Sequence, residues 1–488
     1  MLFRGQVIEK FKYFCIRMIP YILFLLVGQF SPNMIALGGG LSILVSVFVG
    51  YFIGFNFYLV GLYLDHAFKI YYHLNSSLDR VVYRLLFGGA TISLLVLFFK
   101  MTGGERYITL ASYSVVAFNL LLSVYPTTAK IIYSSTSKNF SELKHLDKLE
   151  RFILSMFATY FMFSTPNLIF LSKETISSFL TFDIFHQNYI FSTSIFSALD
   201  VATNSLGYFY FLFGGLYYLI IYSFFRFFFS RRVSLIGILA LVTNWNLTKM
   251  VYGDFTTYAT AMYLLSFLWA HIWVGNSKSY RTNLFFGLIL CLGSHHPYQI
   301  SGALLILGLL STFVTTGVVT PWARLQSLKY MSLGVIIALG LITNDFFGGG
   351  DFVFQKSAIF NFNLFFKKAF NILSLMGVII FLTFYLAMIR EKLKKPLSFL
   401  NSANYLFFSL CFIVLVILLS GYGQHFSLSG FIYFAIILFC LPTLELVLNS
   451  FGIFHPRRNL IFFLYILFVI LDSHLESRVK TFIDIIIS

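Results

Sequence analysis

Charge is scarce in this sequence. Asp, Glu, Lys and Arg make up 11% of its 488 residues, against roughly 25% in a soluble domain. A chain so poor in charge cannot cover a water-facing surface, which excludes an ordinary soluble enzyme. Cysteine is equally sparse. Cys15, Cys291, Cys411 and Cys440 stand singly in or at the edge of apolar runs, with no CxxC spacing. That pattern supports neither a disulfide framework nor a zinc–thiolate centre. No GxxxxGK[ST] or GxGxxG segment occurs. No soluble nucleotide-binding unit is expected, and an activated substrate must arrive in another form. The N-terminal segment lacks a small-residue cleavage site, so its first apolar run reads as a retained anchor.

What is present is apolar. Hydrophobic residues make up 59% of the chain and aromatics 20%, with 63 Phe and 30 Tyr; the mean hydropathy is +0.85. These values predict an all-α, polytopic integral membrane protein. A spanning helix needs about 20 apolar residues, and about 15 such stretches can be marked. The aromatics exceed what two interfacial belts need and read as lipid-facing and packing bulk. The net charge of +16 suggests nucleic acid in a soluble protein. Here the basic residues cluster in short loops beside apolar runs, where they set orientation and meet anionic lipid headgroups. The reading therefore gives membrane lipids as partners, no nucleic acid, and a bacterial cytoplasmic (inner) membrane as location.

Taken in order, Arg4, Lys10, Lys12 and Arg17 against Glu9 place the N-terminus in the cytoplasm. Spans are expected near 18–31 and 35–63. The stretch from Asp65-His66 to Arg84, with Lys69 and Arg80, reads as amphipathic and cytoplasmic. Spans near 85–99 and 107–125 follow. Pro126 to Arg151 mixes Lys130, Lys138, Lys144 and Lys148 with Glu142, Asp147 and Glu150, and reads as a helix lying on the inner leaflet. That loop separates an N-terminal four-span unit (1–150) from a membrane core with C-terminal spans (151–488). The fifth span, near 152–171, leads into a long outward loop, Lys173 to Gly207, expected to carry amphipathic helices. Arg226, Arg231 and Arg232 mark the return inside. Later inner loops again hold Lys and Arg, whereas the outer loops hold acids, amides and histidines.

Four constellations carry chemistry. Asp183, His186 and Gln187 are spaced i, i+3 and i+4, one face of a helix. An acid and an imidazole so placed suit proton transfer or metal chemistry; equally, they suit a solvated loop. His295-His296-Pro297, with Gln299 beyond, ends an apolar run. It reads as a metal or phosphate contact, or as interfacial histidines at a helix end. Glu445 lies inside an apolar run, where an acid is costly and functional by default, or else neutral and hydrogen-bonded near the inner interface. Asp345 and Asp351 flank Gly348-Gly349-Gly350, with Lys356, Lys367 and Lys368 after it. That segment can close over a phosphate or serve as a connector.

The region from about 150 to 310 resembles the core of the GT-C membrane glycosyltransferases, in particular the protein O-mannosyltransferase branch. An inside-to-outside span leads directly into a long outer loop. Phe182-Asp183-Ile184-Phe185-His186 is similar to the FDExHF start of that loop. Asp200-Val201 falls seventeen residues after Asp183, near where that branch carries DVHPP. Gly287 to Pro297 resembles the later GLxxGL span. The sequence departs from the pattern at Ile184, which replaces the second acid, and at Ala202-Thr203-Asn204, which replaces HPP. The four N-terminal spans have no counterpart in the common core. The resemblance implies an enzyme that moves a sugar from a lipid-phosphate-linked donor to an acceptor on the extracytoplasmic side. Asp183 would be the base, and His186 would act with it. His186, and His295 or His296, would bind the donor phosphate or a divalent metal that neutralises it, the one cofactor implied. Gln187, Asp200, Asn204, Gln299 and Lys356 would line the substrate site.

Two other classes compete. A transporter or flippase of a lipid-linked or small substrate needs a polar path through the membrane midplane, with paired charges or inverted repeats. Beyond Glu445, the sequence offers little of either. A non-catalytic membrane scaffold of a larger assembly fits the extra N-terminal spans and the lost second acid.

Overall fold

The computed structural model describes residues 39–70, 76–103, 105–125, 145–169, 205–243, 280–292 and 321–343, together with single positions between and beyond them. Among these residues the chain is helical, broken by short turns. We number the helices α1 (Gly39–Phe68), α2 (Ser77–Gly103), α3 (Glu105–Val124), α4 (Lys148–Ile169), α5 (Ser205–Phe228), α6 (Arg231–Thr243), α7 (Tyr280–Leu292) and α8 (Pro321–Thr343). Among the described residues, no helix is both long and apolar enough to cross a membrane.

Local chemistry sets several helix ends. α1 runs for 30 residues, about 45 Å at 1.5 Å per residue. It ends at Lys69, whose φ of 56° is left-handed, the usual way a helix terminates, though glycine is the usual residue there. α2 begins after Ser76. The Ser76 hydroxyl accepts a hydrogen bond from the Asp79 amide at 3.1 Å and donates to Asp79 Oδ2 at 2.7 Å. This is an N-cap with its acid three residues on, which satisfies an amide that would otherwise lack a partner. α8 opens on Pro321, the residue whose missing N–H costs nothing in a first turn.

The chain divides into two compact units. One comprises Met1–Asp147, Leu168–Tyr217 and Phe482–Ser488; the other comprises Lys148–Asn167 and Tyr218–Thr481. In the first, α1, α2 and α3 pack on one another. The α1–α2 contact is made backbone to backbone. A Cβ added to Gly61 would overlap the Arg84 main chain, and one added to Gly88 would overlap the Phe57 carbonyl. Ile53, Phe57 and Leu62 of α1 and Val82 and Phe87 of α2 are buried around this crossing, and the Tyr83 and Phe87 rings stack at 4.8 Å. In the second unit, α7 and α8 use the same device. Gly287 lies against the Met331 carbonyl and Gly334 against that of Leu284. Small residues at a helix crossing allow close approach, the means by which helices associate where solvent provides no apolar driving force.

The exposed faces are the unusual feature. On α8, Trp322 (68% exposed), Leu325, Leu333, Ile336 and Ile337 recur at helical spacing on the outside. On α3, Leu110, Phe118 and Leu121 (71% exposed) do the same. Meanwhile Asn56, Asp65, Arg84, Ser112, Asn119 and Ser123 are buried. Soluble helices present the opposite arrangement.

Candidate functional site

The most chemically loaded place among the described residues lies inside the α1–α2 hairpin. Tyr58 and Asp65 are seven residues apart on α1, two turns along one face. Arg84 faces them from α2. Its Nε and Nη2 both donate to Asp65 Oδ2, at 2.9 and 2.7 Å, and its Nη1 donates to the Tyr58 hydroxyl at 2.6 Å. The guanidinium carbon also sits 5.3 Å from the Tyr58 ring centroid, within cation–π range. Asp65 is fully buried and Arg84 is 3% exposed. The second carboxylate oxygen, Asp65 Oδ1, is buried without a hydrogen-bond partner among the described residues.

The glycine crossing makes this geometry possible. Gly61 lies one turn before Asp65 and Gly88 one turn after Arg84, so the two backbones meet beside the pair and the side chains span little space. Burial of two opposite charges is costly unless the geometry is good and the remaining lone pairs are satisfied. Here three N–H groups of the guanidinium are used. His66, next in sequence, is exposed. Burial of part of the ring lowers its pKa below the ordinary imidazole value; Asp65 opposes that shift and Arg84 reinforces it.

A second buried polar contact joins α3 to the hairpin. Asn119 Nδ2 donates to Asn56 Oδ1 at 2.9 Å, and Asn56 Nδ2 donates to the Phe52 carbonyl at 2.9 Å. Both side chains are fully buried. In the other unit, Arg231 forms a bidentate pair with Glu150. Nε donates to Oε1 at 2.7 Å, and Nη2 lies 2.7 Å from Oε2. This joins the start of α4 to the start of α6. Phe157 and Phe161 of α4 pack edge-on against Tyr218 of α5, at 5.4 and 5.8 Å.

These contacts give three residues of the sequence reading a structural setting. Arg84, expected to mark a cytoplasmic stretch, is a buried partner of Asp65. Asp65, expected at that stretch's start, belongs to the last turn of α1. Glu150, expected on a helix lying along the leaflet, is in the first turn of α4 and turns inward to Arg231. A sign was available. Asp65 closes an apolar run, and an acid there calls for a named partner. Arg84 is the partner the fold supplies.

The residues expected to act lie elsewhere. Asp183, His186, Gln187, Asp200, Asn204, His295, His296, Gln299 and Lys356 all fall outside the described residues, as do Glu445, Asp345 and Asp351. Among the described residues, no group of three or more His, Cys, Asp or Glu side chains is placed to hold a metal ion. Compared with family models, curated proteins and solved structures, the chain finds no match.

Proposed function

We propose that this chain is a polytopic membrane protein that transfers a sugar from a lipid-phosphate donor to an acceptor on the extracytoplasmic side. Composition supports the membrane setting. As a sequence, Gly39 to Leu64 contains no Asp, Glu, Lys or Arg in 26 residues. The exposed apolar stripes on α3 and α8 and the buried polar pairs support it from the side of packing.

One observation carries the activity. Phe182-Asp183-Ile184-Phe185-His186 lies in the long polar interruption, Lys173 to Gly207, that follows an apolar run, and is similar to the FDExHF segment of the GT-C glycosyltransferases. In this reading the Asp183 carboxylate takes the proton from the acceptor hydroxyl or amine. The acceptor atom bonds to the sugar's anomeric carbon as the bond from that carbon to the phosphate oxygen breaks. The lipid phosphate leaves with the electron pair. A lone carboxylate can serve when its surroundings raise its pKa towards the working pH. His186, His295, His296 and Lys356 are assigned to the donor phosphate.

The test is Asp183→Asn in membranes supplied with labelled lipid-phosphate sugar. Transfer should fall by about 100-fold or more with the protein level unchanged. Wild-type transfer by this variant would overturn the assignment. A second reading, a transporter, is favoured by one specific observation, the buried Asp65–Arg84 pair. In that case Asp65→Asn stops substrate movement and Asp183→Asn does not.

A further inference from the structure

From Phe255 to Asn344 the sequence holds no Asp or Glu, and both α7 and α8 lie in this acid-free stretch. Arg281, in the first turn of α7, is exposed. Its Nε donates to the Tyr280 hydroxyl at 3.2 Å, and its guanidinium carbon sits 5.7 Å from the Tyr280 ring centroid. The Tyr280 ring lies 5.8 Å from that of Tyr330 on α8. Lys329, exposed and next to Tyr330, therefore belongs to the same end of the helix pair. Among the described residues, neither Arg281 nor Lys329 has a carboxylate partner. The outer side of α8 changes along its length. Trp322 (68% exposed), Leu325, Gln326 and Lys329 mix ring, amide and ammonium with one leucine. After Lys329, every exposed residue described on α8 is aliphatic: Leu333, Ile336 and Ile337. About 6 Å of helix separates Lys329 from Leu333, and a lysine stem leans back towards the helix start. Rings and cations followed by aliphatic side chains alone is the order met in passing from headgroups into acyl chains.

We propose that Arg281 and Lys329, flanked by Tyr280 and Trp322, hold the phosphate of an anionic phospholipid headgroup, with its acyl chains along the aliphatic half of α8. The inference rests on the membrane setting proposed above, and not on the sugar-transfer activity. With no acid in their own stretch, the two cations need a counter-ion from outside the chain. A guanidinium and an ammonium both donate charge-assisted hydrogen bonds to phosphate oxygens, and cations at a membrane surface are drawn to anionic lipid. A soluble anion would match the charge but leave the exposed rings and the aliphatic half of α8 in water.

The experiment uses the full chain. Membranes are first washed at alkaline pH; release of the protein into the wash would overturn the membrane setting and this inference together. Retained protein carrying W245F/W269F/W273F, which leaves Trp322 as its one tryptophan, is purified in a neutral detergent. Phosphatidylglycerol or phosphatidylcholine, brominated in the acyl chains, is then added. Phosphatidylglycerol should quench Trp322 at about one-fifth of the concentration that phosphatidylcholine needs, or less. R281Q/K329Q should need equal amounts of the two lipids, and R281K/K329R should keep the preference. Thermal unfolding of the chain with all four tryptophans gives a second reading. Phosphatidylglycerol should raise its midpoint more than phosphatidylcholine does, and R281Q/K329Q should remove the difference. Equal quenching by both lipids, or a preference that survives in R281Q/K329Q, would overturn the headgroup site and leave the sugar-transfer reading untouched. So would loss of the preference on adding inorganic phosphate but not sodium chloride of equal ionic strength, which would mark a site for a soluble anion.

Discussion

Removing one partner of the Asp65–Arg84 pair should cost far more than removing both. In Arg84→Met, the Asp65 carboxylate is left fully buried, with neither the guanidinium nor a route to water. Stranding one charge of a buried pair costs about 3–5 kcal/mol. Asp65→Asn strands the guanidinium, which keeps the Tyr58 hydroxyl at 2.6 Å and the ring at 5.3 Å, so its cost falls toward the lower end of that range. The double variant Asp65→Asn/Arg84→Met buries no charge. Replacement of whole buried pairs by neutral groups is often nearly neutral, so the double variant should be more stable than either single one. The coupling between the sites should be at least about 2 kcal/mol. The assay is equilibrium unfolding of the purified chain in mixed micelles of rising dodecyl sulfate content, read by far-ultraviolet circular dichroism, for all four members of the cycle. Single changes whose effects add to within about 0.5 kcal/mol would refute the pair as an energetic unit, and with it the account of why Arg84 sits inside the hairpin.

Two further changes probe the same hairpin. Gly88→Ala puts a methyl group where the Phe57 carbonyl stands. Because backbone rather than a flexible side chain must move, it should destabilise by about 1–3 kcal/mol in the same titration. A neutral Gly88→Ala would mean that the helices do not meet there. Lys69→Gly should act in the opposite direction. The left-handed φ of 56° strains a residue with a Cβ, and relieving it should stabilise by about 1 kcal/mol; a loss of stability would show that the exposed lysine side chain matters more than the backbone.

The apolar runs made the helices legible. The run marked near 85–99 falls within α2, and those near 35–63, 107–125 and 152–171 overlap α1, α3 and α4. The ends were less legible. α1 continues past Leu64 through Asp65 and His66, and α2 begins at Ser77, well before the apolar run at 85. Hydropathy drops at both places because charges enter, but a charge that finds a partner does not end a helix. The buried pair escaped for the same reason. Sorting basic residues by loop assigns each one a side of the membrane and ignores its neighbour in space. Arg84 and Asp65 are 19 residues apart in sequence and meet only because a turn folds α2 back on α1. The Gly61–Gly88 crossing is equally invisible in sequence, where each is one glycine among 33. Asp183, His186 and the histidine pair rest on sequence alone.

The buried pair also constrains how the chain is made. On the membrane reading, α1 emerges from the ribosome with Asp65 at its end while Arg84 is still unsynthesised. Each helix alone presents an unpaired charge to the lipid, and a single such charge resists insertion. Together, Asp65 and Arg84 satisfy one another. The hairpin should therefore enter the bilayer as one piece, with α1 held at the insertion machinery until the second turn of α2 has been translated. A gene truncated between Asp65 and Arg84 should yield a fragment that fails to insert. The same coupling limits divergence, since neither position can drift to a neutral residue unless the other changes with it.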